Sequence, residues 1–172
     1  MSHFKAISPD AADEVFRLIG KEWMLITAKA EDADGNSRLN TMTASWGGLG
    51  ILWNKPVAFV FIRPQRHTFS LTERAERFSL SFLGDGHREA LRLCGTKSGR
   101  DIDKFAASGL TPAYEQEVPY VKEARLVLIG RKLYADDLKR SAFLLPELLQ
   151  NYAADDYHKM YILEIEHAMV RE

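Results

Sequence analysis

Cysteine is almost missing: Cys94 is the only one in 172 residues, so no disulfide forms within the chain and no thiolate zinc site is available. An excess of one charge is missing too. Lys and Arg total 23 against 24 for Asp and Glu, a formal net charge of −1, which removes the bulk attraction that nucleic-acid binding relies on. No apolar run approaches the roughly 20 residues of a membrane-spanning helix, and the longest, Pro56 to Ile62 and Leu126 to Ile129, are strand-sized. The opening Met1 to Asp10 lacks the charged-then-apolar layout of a signal peptide, so cytoplasmic residence is the expectation. The five histidines, His3, His67, His87, His158 and His167, show no ligand spacing. There is no His-Glu-x-x-His pattern, and no metal site is expected.

What is present is the balance of an ordinary folded protein, 46% apolar and 27% charged. The length suits a single domain over residues 1–172. Ser8-Pro9-Asp10 offers a cap for a short amphipathic helix that carries Val15, Leu18 and Ile19 and stops at Gly20. Trp23 to Ala28 is an apolar strand followed by the turn residues Asp32 to Asn36. Leu39 to Trp46 and Pro56 to Ile62 are read as strands joined by a flexible Gly47-Gly48-Leu49-Gly50 connection, which opens no helix and is no dinucleotide fingerprint.

Thr68 is placed to cap a helix reaching Arg77, and Phe78 to Leu83 alternates at period two, a strand with one buried face. Gly86 to Cys94 and Asp101 to Ser108 read as helices around a Lys97-Ser98-Gly99 loop, with Gly109 as the stop. The chain is then irregular from Pro112 to Pro119. Leu126 to Tyr134 and Met160 to Glu166 are strands either side of a helical Ala142 to Tyr152 segment, in which Leu144-Leu145-Pro146 to Leu149 are read as packing. About six strands without regular βα alternation argue for a mainly β fold with peripheral helices, an antiparallel closed or split barrel.

Four stretches, taken in order, resemble the flavin reductase-like, FMN-binding split-barrel family, particularly its flavoredoxin-like branch. They are Asn40-Thr41-Met42-Thr43-Ala44-Ser45-Trp46-Gly47; Arg63-Pro64-Gln65-Arg66-His67-Thr68; Cys94 to Asp101 continuing to Asp103-Lys104-Phe105; and His158 before the strand Met160 to Glu164. The resemblance implies an antiparallel Greek-key split β-barrel and a homodimer with FMN near the subunit interface. It also implies reduction of flavin by NADH or NADPH, or flavoredoxin-like electron carriage. A flavin-binding protein for storage or sensing, without turnover, is the alternative. In one respect the chain departs from many relatives: Leu163, not glycine, precedes Glu164, and both are left out of the site.

FMN sets two problems. Its phosphate carries close to two negative charges and favours cations and short hydroxyls, because charge-assisted hydrogen bonds are the stronger ones. Arg66, Thr68, Lys97, Ser98 and Lys104 fit that need, with Arg63 beside them in the motif; Thr68 at a helix start and Ser98-Gly99 in a loop add backbone N–H groups. The plain alternative makes Arg66 and Lys104 solvated charges and Thr68 a simple cap. For the ring, Thr41, Thr43, Ala44 and Ser45 can aim backbone and hydroxyl groups at the polar edge while Met42 and Trp46 supply apolar contact. Asn40 belongs to this strand or only stabilises the preceding turn. Since the cofactor carries the redox chemistry, His158 is the sole catalytic candidate, against a structural reading as a cap or surface imidazole. Cys94 is read as a buried, inert thiol, the alternative being activation by Arg92 and Lys97.

Overall fold

The computed structural model describes residues 14–171. Nine strands dominate it: β1 (Met24–Glu31), β2 (Ser37–Ala44), β3 (Gly47–Leu52), β4 (Lys55–Ile62), β5 (Arg77–Phe82), β6 (Pro112–Glu115), β7 (Val118–Val121), β8 (Leu126–Asp137) and β9 (Lys159–Val170). The helices are short and peripheral: α1 (Glu14–Arg17), α2 (His67–Arg74), α3 (Arg88–Thr96) and α4 (Lys104–Ser108). Seven strands form one antiparallel sheet in the order β2-β1-β5-β8-β9-β4-β3, while β6 and β7 pair apart. This is the mainly β, split-barrel architecture expected from the sequence, with more strands than the six anticipated.

One face of the sheet closes on a core made by Met24, Ile26 and Ala28 of β1, Met42 of β2, Ala58, Val60 and Ile62 of β4, Phe78, Leu80 and Phe82 of β5, and Tyr161 and Leu163 of β9. Strands this far apart in the order share one core because the sheet coils. Its two ends meet near Gly47, where a Cβ would fall 3.3 Å from Met24 Cε and 2.7 Å from the Phe59 carbonyl oxygen. A second apolar layer, with Leu25, Leu91, Cys94, Phe105, Val121 and Ile129, lies where α3, α4 and β7 cover the outer face.

Several sequence expectations are corrected. Gly47 to Gly50 is a strand, not a flexible connection: Gly48 and Gly50 of edge strand β3 face the Phe59 ring, which a Cβ at Gly48 would approach to 3.6 Å. The β3–β4 hairpin turns on Trp53 and Asn54, at φ 52° and 55°, as a two-residue turn demands. Pro112 to Pro119 is not irregular but enters the β6–β7 hairpin, turned at Gln116 and Glu117. β5 buries both faces, since Ser79 donates to the Pro119 carbonyl (2.6 Å) and Ser81 accepts from Val121 N (3.2 Å).

Gly20 does not stop the first helix; it lies inside a π-helical turn, Leu18–Glu22, and the Ser8-Pro9-Asp10 cap lies outside the described residues. The Ala142 to Tyr152 segment is two 3₁₀ turns, Arg140–Ala142 and Pro146–Tyr152, rather than one helix. Most of its leucines are exposed, Leu144 at 93% and Leu145 at 54%, and only Leu149 is half-buried. α2 has Arg66 at its N-cap position, without a side-chain cap hydrogen bond, and ends at Arg74, so Thr68 is inside the first turn and is no cap. Leu163 is fully buried in the core, against Gly130 at a β-bulge of β8, where a Cβ would meet Leu163 Cβ at 2.7 Å.

Candidate functional site

The edge strand β2 carries the site. Being last in the sheet, it has β1 on one side and leaves the other open, and its side chains alternate between the two faces. Asn40 is buried and donates from Nδ2 to Thr68 Oγ1 at 2.9 Å, tying β2 to the first turn of α2. Met42 follows on the same face, in the core and at the rim of a pocket. The odd positions are committed elsewhere. Thr41 is fully buried, 2.9 Å from Thr27 Oγ1 and donating to the Ile26 carbonyl, and Thr43 donates to the Leu91 carbonyl of α3.

Beyond Asn40 lies a cleft of about 1050 Å³ lined by Arg38, Asn40, His67, Ser70, Gly99, Arg100 and Lys104, among others. Lys104 is 3% exposed, and its Nζ donates to the Cys94 carbonyl at 2.7 Å. Arg66 donates to the Gly95 carbonyl (2.8 Å) and to the Cys94 carbonyl (3.3 Å). Two cations thus meet at the C-terminal end of α3, whose carbonyls suit positive charge. Among the described residues neither is paired with a carboxylate.

Burial first, and Arg66 second, bring the Lys104 pKa down to about 8; burial and Arg63 lower that of Arg66. His67 is also held below the usual imidazole range by burial and by Arg100 and Lys104. Gly99 fits because it has no side chain: a Cβ would lie 2.4 Å from Asn40 Oδ1.

Along β2 from this cleft is a shallow pocket of about 210 Å³ lined by Met42, Thr43, Ala44, Ser45 and Trp46, with Phe61, Arg63, Arg66 and His158 opposite. Arg63 is occupied, donating to Asp156 at 2.5 Å and to the Asn151 carbonyl at 2.9 Å. His158 is 7% exposed, with its ring 5.2 Å from that of Trp46 and its Nδ1 2.8 Å from the Tyr152 hydroxyl. Burial, then Arg63, brings its pKa down to about 4.

The structure therefore gathers Asn40, Thr68 and Lys104 at one end and Met42 to Trp46, Arg63 and His158 at the other, with Arg66 reaching from the first to the second. Three predicted residues fall away from these groups. Thr41 is structural, Lys97 is exposed at the C-cap of α3, and Ser98 shapes its loop by accepting from Arg100 N at 3.2 Å. Cys94 is buried and its thiol pushed up by that burial, so it is inert; its cationic neighbours are Lys104 and Arg66 rather than Arg92 and Lys97. Phe61, Tyr152, His67 and Arg100 were not singled out for the site from the sequence. His67 and Arg100 lie within two of the resembling stretches, whereas no motif marks Phe61 and Tyr152, which only the fold brings to the site. Among the described residues there is no grouping of three metal-ligating side chains, and no helix is long and apolar enough to cross a membrane.

A family described as Flavin reductase like domain matches residues 16–172 of the chain. No curated protein matches it. Solved structures with this fold include the flavoredoxin of Desulfovibrio vulgaris (Miyazaki F), 24% identical with a TM-score of 0.66, covering 87% of this chain and 69% of that one. An FMN-binding protein from Thermus thermophilus, solved with bound p-hydroxybenzaldehyde, is 22% identical with a TM-score of 0.66, covering 100% of this chain and 83% of that one. Nitrilotriacetate monooxygenase component B from Bacillus cereus is 15% identical, with a TM-score of 0.66 and coverages of 100% and 84%.

Proposed function

The chain belongs to the flavin reductase-like domain family, and from that premise we propose that it is an FMN-binding oxidoreductase. It takes hydride from NADH or NADPH as a flavin reductase, or passes electrons as a flavoredoxin-like carrier. The observation that carries the reading is the pair Arg66 and Lys104, two partly or wholly buried cations whose hydrogen-bond partners are neutral carbonyls. A buried charge beside a like charge is costly until an anion compensates it, and a phosphate is such an anion.

The phosphate is assigned to Lys104, Arg66, Thr68 and the first turn of α2, with Asn40 holding the turn in place. Asn40 and Ala44 are four residues apart, roughly 13 Å along a strand, which leaves room for a ribityl chain between phosphate and ring. The ring is assigned to the shallow pocket, with backbone groups of residues 43–45 at its polar edge, Met42 and Trp46 against its faces, and His158 opposite. When bound, FMN supplies the two-electron redox chemistry; the chain holds and orients it and sets the charge around it. Thr41, Lys97 and Ser98 have no direct part. Arg63 holds the segment that carries His158.

A single domain, a homodimer with the half-exposed Trp46 near the subunit interface, and a cytoplasmic setting complete the reading. Absorption spectroscopy of the purified protein with added FMN, followed by stopped-flow mixing with NADH and NADPH, tests it. A bound-flavin spectrum that bleaches is expected. No spectral or thermal response to FMN sinks the proposal, and a bound flavin that stays oxidised with both donors favours storage, sensing or a different electron donor.

A further inference from the structure

The hydrogen bond between Tyr152 and His158 is buried, and its direction decides what the pocket offers. The 2.8 Å contact joins the phenol oxygen to Nδ1, and either group can donate. If Nδ1 carries the hydrogen, the phenol hydrogen of Tyr152, a residue 6% exposed, has no other acceptor among the described residues. If the phenol donates, that hydrogen is satisfied and the imidazole hydrogen sits on Nε2, the remaining polar atom of a ring that lines the pocket. The second arrangement leaves no buried donor stranded.

Protonation of both nitrogens is opposed by the surroundings. Arg63 lies over the Tyr152 ring at 5.2 Å from its centroid, Arg66 lines the same pocket, and Asp156, the carboxylate that acts on His158, is already paired with Arg63. The remaining neighbours are the rings of Trp46, Phe61 and Tyr152.

We propose that Tyr152 is a positioning residue: its phenol donates to Nδ1 and fixes His158 as the Nε2–H tautomer, giving the pocket a neutral donor for a ring carbonyl oxygen or ring nitrogen. The ligand rests on the assignment of this pocket to flavin; the tautomer does not. An uncharged donor orients an acceptor without changing the charge of the pocket, and it stays the same across the neutral pH range.

Nitrogen-15 NMR of the histidine-labelled full chain, without ligand, reads the tautomer directly. At pH 7 the expected signature is a hydrogen on Nε2 and a bare Nδ1, unchanged down to pH 5.5. Tyr152→Phe should move His158 towards a mixture of tautomers. A hydrogen on Nδ1 in the parent protein, an imidazolium at pH 7, or a Tyr152→Phe spectrum identical to the parent overturns the proposal. Flavin supplies a second readout. His158→Ala should weaken FMN about tenfold, the worth of one hydrogen bond, and shift the midpoint potential of the bound flavin. His158→Gln, whose amide N–H replaces Nε2–H, should restore both; equal loss in the two variants refutes the donor role. Should the parent protein bind no FMN, the flavin reading fails while the NMR result still decides the tautomer.

Discussion

The two ends of β2 solve opposite electrostatic problems. At Asn40 the chain gathers Lys104, Arg66 and Arg100 against backbone carbonyls, so that end holds charge in reserve. At Met42 to Trp46 the surroundings are aromatic rings and an uncharged imidazole; Arg63 is spent on Asp156, and Arg66, which reaches this pocket as well, is held on the Gly95 and Cys94 carbonyls. What differs is how far each cation's charge is already neutralised. A ligand that bridges both ends should therefore respond to ionic conditions most strongly at the Asn40 end, where Lys104 adds to Arg66.

Removing a cation tests that contrast most severely. Lys104→Ala is expected to weaken FMN by 10- to 100-fold, the range for a charge-assisted hydrogen bond of roughly 1.5–3 kcal/mol, and to leave riboflavin, which has no phosphate, nearly unchanged. Parallel fluorescence titrations with the two flavins measure it. Equal losses would place the phosphate elsewhere.

Next in size is Gly99→Ala. The backbone of Gly99 is not in the left-handed region, so the cost is steric alone: the added Cβ meets the Asn40 amide at 2.4–2.7 Å. Asn40 must then leave Thr68. Overpacking of this kind costs about 1–3 kcal/mol, to be seen in urea unfolding, along with weaker FMN binding. An unchanged midpoint would mean that the loop yields instead of Asn40.

A pH series sharpens the same contrast. With its pKa down at about 8 rather than the ordinary 10.5, Lys104 in the free protein loses its charge readily. Its contribution to folding is full above pH 10.5 and is lost as pH falls to 8, below which the native state carries the buried charge. A bound phosphate reverses the preference by holding the charged amine. FMN affinity should thus be steady from pH 7 to 8 and then fall by up to roughly tenfold per pH unit, a limb absent from riboflavin and from Lys104→Ala. The ring end answers in a different window. His158, held neutral with a pKa of about 4, contributes stability that is complete above about 6.5 and is lost as pH falls towards 4.

How much of this was legible in the sequence depended on whether neighbours in the chain remain neighbours in the fold. The strands with their own apolar period were readable, and so was the family resemblance of residues 40–47, because a strand keeps its residues in line. β3 was not: Gly48 and Gly50 look like a break, but they make room for the ring of Phe59 on the next strand. The alternation in β5 was read correctly, yet it cannot tell that β7 covers the serines. In the Lys97-Ser98-Gly99 loop, adjacency misled; the extended C-cap of α3 turns Lys97 to solvent while Gly99 reaches Asn40. Tyr152 carries no motif, and only the 3₁₀ turn beneath Arg63 brings it to His158.

Thr41 offers the smallest effect and the cleanest separation of fold from site. It sits inside the motif, but its hydroxyl accepts from Thr27 and donates to the Ile26 carbonyl, with no exposure at all. Thr41→Val should cost about 1 kcal/mol by leaving the Thr27 hydroxyl without its acceptor. The double variant Thr27→Val/Thr41→Val should recover most of that loss, because removing both partners strands no polar group. FMN affinity should stay level in both, as measured by titration at a temperature where each remains folded. A drop in affinity that the second substitution does not repair would mean that the hydroxyl of Thr41 turns towards the ligand, and that both faces of β2 serve the site.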